Sequence, residues 1–233
     1  RGARRHGAGL RPDRAGILTA ARAAVALVVR TLTLRVALLV TTYAVTRIPH
    51  TAAGSAATHL ATHQLTSTLW TFLAFVLDAI AIAAQALTGR SLGAGDLPGT
   101  RALTTRMVRW GLVSGVITGL LLAVASPVIG RLFTGDPAVR DALVPVLLVA
   151  ALAQPVCGVV FVLDGVLIGA GDGRYLAAAG VITLAAYTPV ALLWHPSLVG
   201  VWVAFTLVFM GVRCLTLTLR ARTTRWMIVG AAT

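Results

Sequence analysis

The chain has 233 residues, 58% of them hydrophobic and 12% charged, whereas a soluble domain carries roughly 25% charge to wet its surface. Half that charge, with long apolar runs, excludes an ordinary soluble enzyme or binding module and makes lipid the solvent of most of the chain. The formal net charge of +13 comes from 20 arginines with no lysine, against 7 aspartates with no glutamate. Because the arginines fall between apolar runs rather than on one basic face, nucleic acid is not the partner they serve.

Residues 1–30 begin rich in arginine and glycine and end in an apolar stretch, Ala20 to Val29, too short to span; spanning takes about 17–25 apolar residues. The segment reads as a cytoplasmic arm or linker. The chain starts at Arg1 and shows no cleavable leader, which reads as a piece of a longer protein. Six spans are predicted beyond it, at 31–48, 65–88, 110–130, 142–169, 175–194 and 198–219, followed by a tail at 220–233. The expected fold class is an all-α integral membrane protein, a six-transmembrane-helix bundle.

Arg35 lies in the first turn of the first span, from where it can snorkel to the interface. After the second span, Gly93, Gly95, Pro98 and Gly99 break the chain, and Arg90–Arg109 reads as a long connection holding a short interfacial helix. Pro127, Pro145, Pro155 and Pro189 fall inside later spans, with Gln154-Pro155 the strongest candidate for a kink. With a cytoplasmic N-terminus, 17 arginines fall inside and only Arg47, Arg131 and Arg140 outside. That bias puts both termini in the cytoplasm. The use of arginine without lysine and aspartate without glutamate, with abundant Ala, Val, Leu and Gly, is most simply the codon bias of a GC-rich genome, and the expected location is a bacterial inner membrane.

Two aspartates lie within spans. Asp78 is 12 residues before Arg90 and Asp164 is 10 before Arg174, about 18 and 15 Å from those arginines at the helical rise. A carboxylate at such depth costs about 2.5–3.5 kcal/mol on insertion scales, and desolvation favours its protonated or sodium-bound form. Gln64, Thr71, Asp78 and Gln85 recur every seven residues, drifting about 20° per step, and form a polar stripe that faces a cavity rather than lipid. Around Asp164 the same face is small (Cys157, Ala150), which suits an isolated acid beside closely packed helices. Phe75-Val76-Leu77-Asp78 recurs as Phe161-Val162-Leu163-Asp164, each followed by Gly-Ala-Gly-Asp; the copies lie two spans apart and run in the same direction.

His59 and His63 have helical ligand spacing, but no third ligand accompanies them, and they read as an interfacial pair. Cys157 and Cys214 read as reduced, buried thiols. No metal or cofactor is expected, and no catalytic motif points to an enzyme.

Leu60-Ala61-Thr62-His63-Gln64, Leu69-Trp70 and Phe72-Leu73-Ala74-Phe75 lead into Leu77-Asp78 and on to Gly93-Ala94-Gly95-Asp96. This segment resembles the eighth helix of the DinF branch of the MATE (multidrug and toxic compound extrusion) exporters. Arg30-Thr31-Leu32-Thr33-Leu34-Arg35 is similar to the start of that family's seventh helix, and Leu163 to Asp172 to its tenth. One departure is Arg47 followed by Ile48-Pro49, where the family usually has glycine after the arginine. The resemblance implies two six-helix bundles that rock around a drug cleft, driven by protons or sodium, with this chain matching the C-terminal lobe. It implies a missing N-terminal six-helix half as partner, the lipid bilayer as surroundings and a drug-like small molecule as substrate. By carry-over, Asp164 stands where many members place an acid of the C-terminal ion site, and Asp78 matches an acid of the DinF branch. Two other readings are a flippase of a lipid-linked precursor, marked by a strongly cationic central cavity, and a non-transporting assembly partner. Few arginines are expected inside the bundle, which counts against the flippase.

Overall fold

The computed structural model describes residues 14–49, 55–194 and 196–228. Six long helices account for nearly all of them: α1 (Arg14–Thr46), α2 (Ala56–Gly93), α3 (Leu97–Phe133), α4 (Pro137–Gly169), α5 (Gly173–Leu193) and α6 (Leu198–Arg222). Each contains a stretch long and apolar enough to cross a membrane.

Their starts follow from local chemistry. Ser55 Oγ accepts from the Thr58 amide at 3.1 Å, Asp96 Oδ1 from Gly99 at 2.8 Å, Asp136 Oδ1 from Ala138 at 2.9 Å and Ser197 Oγ from Gly200 at 3.1 Å. These side chains satisfy amides that have no partner inside the helix, and Pro98 and Pro137 occupy first-turn positions where no amide is needed. The repeated Gly-Ala-Gly-Asp makes the same turn twice. Gly95 and Gly171 take φ of 76° and 75°, and the amides of Asp96 and Asp172 reach back to Ser91 and Leu167 carbonyls at 3.1 and 2.9 Å. Only glycine adopts that conformation without strain, so both helices end where the motif stands.

α4 is the most enclosed helix, and α2 and α3 pack along it. A Cβ on Gly158 would run into the Gly111 carbonyl, one on Gly115 into that of Gln154, and one on Gly119 into that of Ala151. On the other seam, Gly165 meets the backbone of Ala81 and Gly169 that of Gln85. Small residues thus let backbones meet, the usual basis of helix association where lipid offers no hydrophobic drive. The steady offset of those two contacts also shows α2 and α4 running in parallel. α1 packs instead on α5, where the buried Thr41 and Tyr187 hydroxyls share a hydrogen bond of 2.6 Å. α1 and α4 scarcely touch, and a cavity opens between them.

Several elements differ from expectation. Helix α1 starts at Arg14 and its apolar stretch at Ala24, so the segment read as too short to span runs continuously into the span predicted at 31–48. Residues 90–109 hold no long connection or separate interfacial helix: α2 runs through Arg90 to Gly93, and α3 begins at Leu97. Only Gly95 of the four expected breakers makes the turn, because Pro98 and Gly99 sit in a first turn that tolerates them. Within α6, residues Phe205–Met210 form a π-helical segment, which hydropathy does not foretell. His63 is buried among the helices, with Nε2 3.0 Å from Thr42 Oγ1.

Candidate functional site: a charged cavity between four helices

The parallel packing of α2 and α4 brings Asp78 and Asp164 to similar heights on neighbouring helices. Both line a cavity of about 320 Å³, within the size range of small-molecule sites. Its wall includes Arg30, Arg35 and Leu38 of α1, Trp70, Thr71 and Phe75 of α2, Phe161 of α4, and Phe209, Met210 and Arg213 of α6.

Asp164 is not the isolated acid that its small neighbours implied. Its Oδ1 accepts from Arg213 Nη2 at 2.7 Å and its Oδ2 from Arg30 Nη2 at 2.8 Å. Arg213 Nη1 also donates to the Leu176 carbonyl at 3.3 Å. The Asp164 and Arg213 side chains are 8% and 7% exposed, and Arg30 is 26% exposed. Three helices are therefore joined through one carboxylate. Removing one member of such a buried pair typically costs about 3–5 kcal/mol, because the other charge is left without compensation. Gly180 of α5 lies where a Cβ would approach both Thr33 and Arg213 Nη1, leaving room for the guanidinium.

Asp78 is half-buried and makes no ion pair among the described residues. Of its stripe, Thr71 joins it on the cavity wall and donates to the Ser67 carbonyl at 2.7 Å. Gln64 and Gln85 are exposed and lie outside the cavity. Helix α2 is long enough for its ends to leave the region of the cavity, so a seven-residue repeat continues past the site it marks.

Arg30 and Arg213 are the residues that sequence reasoning missed. Both were counted with the cytoplasmic charges, whereas Arg213 is buried inside the bundle and Arg30 bridges the cavity. The expectation of few internal arginines is corrected accordingly: among the described residues three arginines and two aspartates line the cavity, an excess of one positive charge. A signal was available, since an acid fixed within a span demands a cation, and Arg213 lies inside the sixth predicted span. A second pair closes the N-terminal end of α5 against α6. Arg220 Nε donates to Asp172 Oδ2 at 2.7 Å, its guanidinium lies 4.8 Å from the Tyr175 ring centre, and Tyr175 Oη donates to the Thr216 carbonyl at 2.7 Å.

Such a site holds charge in apolar surroundings; the described residues include no group of three or more His, Cys, Asp or Glu side chains placed to hold a metal. It can bind and release an ion or a charged, partly apolar molecule.

Known proteins share this architecture. The MatE family model matches residues 26–193. The chloroplastic Protein DETOXIFICATION 45 of Arabidopsis thaliana is 31% identical over 157 residues, which are 66% of this chain and 28% of that protein. Protein DETOXIFICATION 43 of the same plant is 29% identical over 77% of this chain and 35% of its own length. Among solved structures, a MOP superfamily transporter from Pyrococcus furiosus superposes with a TM-score of 0.75 at 18% identity, over 91% of this chain and 46% of that one. An outward-facing multidrug resistance MATE family transporter of the same superfamily gives 0.75 at 17% identity, over 91% and 47%. The chain thus spans about a third of the length of the plant relatives and about half of the solved chains. With most of its membrane-spanning sequence matched by the family model and the fold shared with solved transporters, this multi-pass membrane chain belongs to the MatE family.

Proposed function

We propose that the chain forms the C-terminal six-helix lobe of a proton- or sodium-coupled multidrug antiporter, exporting cationic or amphipathic compounds through a cleft shared with a second six-helix bundle. The observation that carries this reading is the cavity itself, where two membrane-embedded carboxylates stand among aromatic and aliphatic side chains in a volume suited to a small molecule. The second bundle is argued from coverage, since the 91% of this chain that superposes accounts for 46% and 47% of the solved transporters. The DinF branch rests on the motifs around Asp78 and Asp164. A bacterial inner membrane with both termini cytoplasmic rests on composition and on the arginine bias, which survives moving Arg30 and Arg213 into the bundle.

The test is transport of ethidium, a cationic apolar dye, in proteoliposomes under an imposed proton or sodium gradient. With both bundles present, one of the two gradients, that of the coupling ion, should drive the dye uphill; the 233-residue chain alone should not move it, because it supplies one wall of the cleft. Dye movement indifferent to both gradients would overturn antiport.

The three cavity arginines favour a second reading, the flippase of a lipid-linked anionic precursor. Its signature is translocation of a fluorescent polyprenyl pyrophosphate, measured as protection from an impermeant quencher, with no response to ethidium.

A further inference from the structure

The cavity holds two carboxylates in different electrostatic situations, and the difference assigns them different work. Both oxygens of Asp164 accept charge-assisted hydrogen bonds, one from each of two arginines. Arginine does not release its proton in a protein. Neutralising Asp164 therefore strands two guanidinium charges, one of them almost fully buried, within a single cavity wall. Among the described residues Asp78 holds no ion pair that its neutralisation would break.

We infer that Asp78 is the carboxylate of this lobe that takes up and releases the coupling ion, while Asp164 stays a fixed anion that ties α4 to α1 and α6. The inference rests on the antiport reading above. Among the described residues, the charged groups that share the cavity with Asp78 are Arg30 and Arg35 of α1, Asp164 of α4 and Arg213 of α6; α3 and α5 contribute none to its wall. With Asp78 ionised these five side chains sum to +1, and with Asp78 neutral to +2. Filling the Asp78 site thus makes the cavity more hostile to a cation and emptying it makes the cavity more welcoming, which is the exchange an antiporter needs. Arg30 is placed to feel the change. Its Nη2 is committed to Asp164, but its Nε is buried with no acceptor among the described residues, so the guanidinium keeps a donor that an ionised Asp78 can attract. Arg30 lies on α1, the helix that scarcely packs on α4. The ion at Asp78 therefore acts on the strut between two loosely joined walls, and a ligand shifts such an equilibrium by its differential affinity for the two arrangements.

The test needs no cargo. Dicyclohexylcarbodiimide adds to protonated carboxyls in apolar surroundings, and peptide mass spectrometry of the wild-type protein in liposomes locates the adduct. Asp78 should carry it and Asp164 should not. Above the pKa of the reacting group the labelling rate should rise about tenfold per unit fall in pH, following the protonated fraction. Suppression by sodium at constant pH would identify sodium as the competing ion, and indifference to sodium would identify the proton; either supports the assignment. An adduct on Asp164 with that pH dependence, or none on Asp78 between about pH 5 and pH 8, would overturn it. Scoring ethidium transport in the same liposomes separates the two readings. An Asp78 adduct without ion-driven dye movement removes the drug cargo and keeps the coupling site. Dye movement with the adduct on Asp164 does the reverse.

Discussion

On one side of α4 the helices meet backbone to backbone, and on the other α1 is held across a gap by charge. Along the α3 seam Gly111, Gly115 and Gly158 leave no room for even a methyl group, so displacement there means losing packing along the whole contact. Across the cavity, α1 is tied to α4 through the Arg30–Asp164 pair, while its packing is spent on α5. Packed interfaces resist continuous deformation; a wall tied by ion pairs can open by exchanging partners. The lobe therefore combines a rigid spine of α2, α3 and α4 with a more loosely joined wall, and the charged cavity lies at the junction.

The comparison breaks most severely at the shared carboxylate. Asp164→Ala leaves Arg30 and Arg213 without their anion and should destabilise the lobe by about 3–5 kcal/mol, read as a lower melting temperature in detergent. Adding Arg213→Met should recover part of that loss, since it removes the more buried stranded charge. If the double variant is as unstable as the sum of the singles, Asp164 stabilises by some route other than these pairs.

Gly158→Val probes the rigid side. Its Cβ must displace the Gly111 carbonyl, so a loss of about 3 kcal/mol is expected at the upper end of overpacking costs. Gly93→Ala is the control, because nothing lies within 4 Å of a Cβ there; it should be neutral or stabilise by up to about 1 kcal/mol. Equal effects at the two sites would remove the case for a backbone-to-backbone spine.

The smallest change is expected at Asp78. Asp78→Asn breaks no ion pair among the described residues and should alter stability by no more than about 0.5 kcal/mol, measured by the same thermal unfolding. A loss comparable to that of Asp164→Ala would show an unrecognised structural partner and erase the contrast between the two acids.

Six apolar stretches, the parallel run of the second and fourth, and the repeated Gly-Ala-Gly-Asp that follows each of those two were legible in the sequence by itself. Those properties are local: chain length against bilayer thickness decides a span, and glycine's freedom at positive φ decides a turn. For the same reason Asp78 and Asp164 could be singled out, since an acid is conspicuous wherever its own neighbours are apolar. The partners could not be found that way. Arg30 lies 134 residues from Asp164, and Arg213 lies 49 away; both stand near span ends in the sequence, where an arginine ordinarily marks the cytoplasmic side. Only the packing register of α1, α4 and α6 turns them inward, just as only the height of α2 against α4 keeps Thr71 and Asp78 on the cavity while Gln64 and Gln85 fall outside it. Hydropathy reports the solvent each segment prefers. Which charges meet depends on how far each helix slides and turns against its neighbours, and here glycine-to-carbonyl contacts in the folded bundle settle that along α2, α3 and α4.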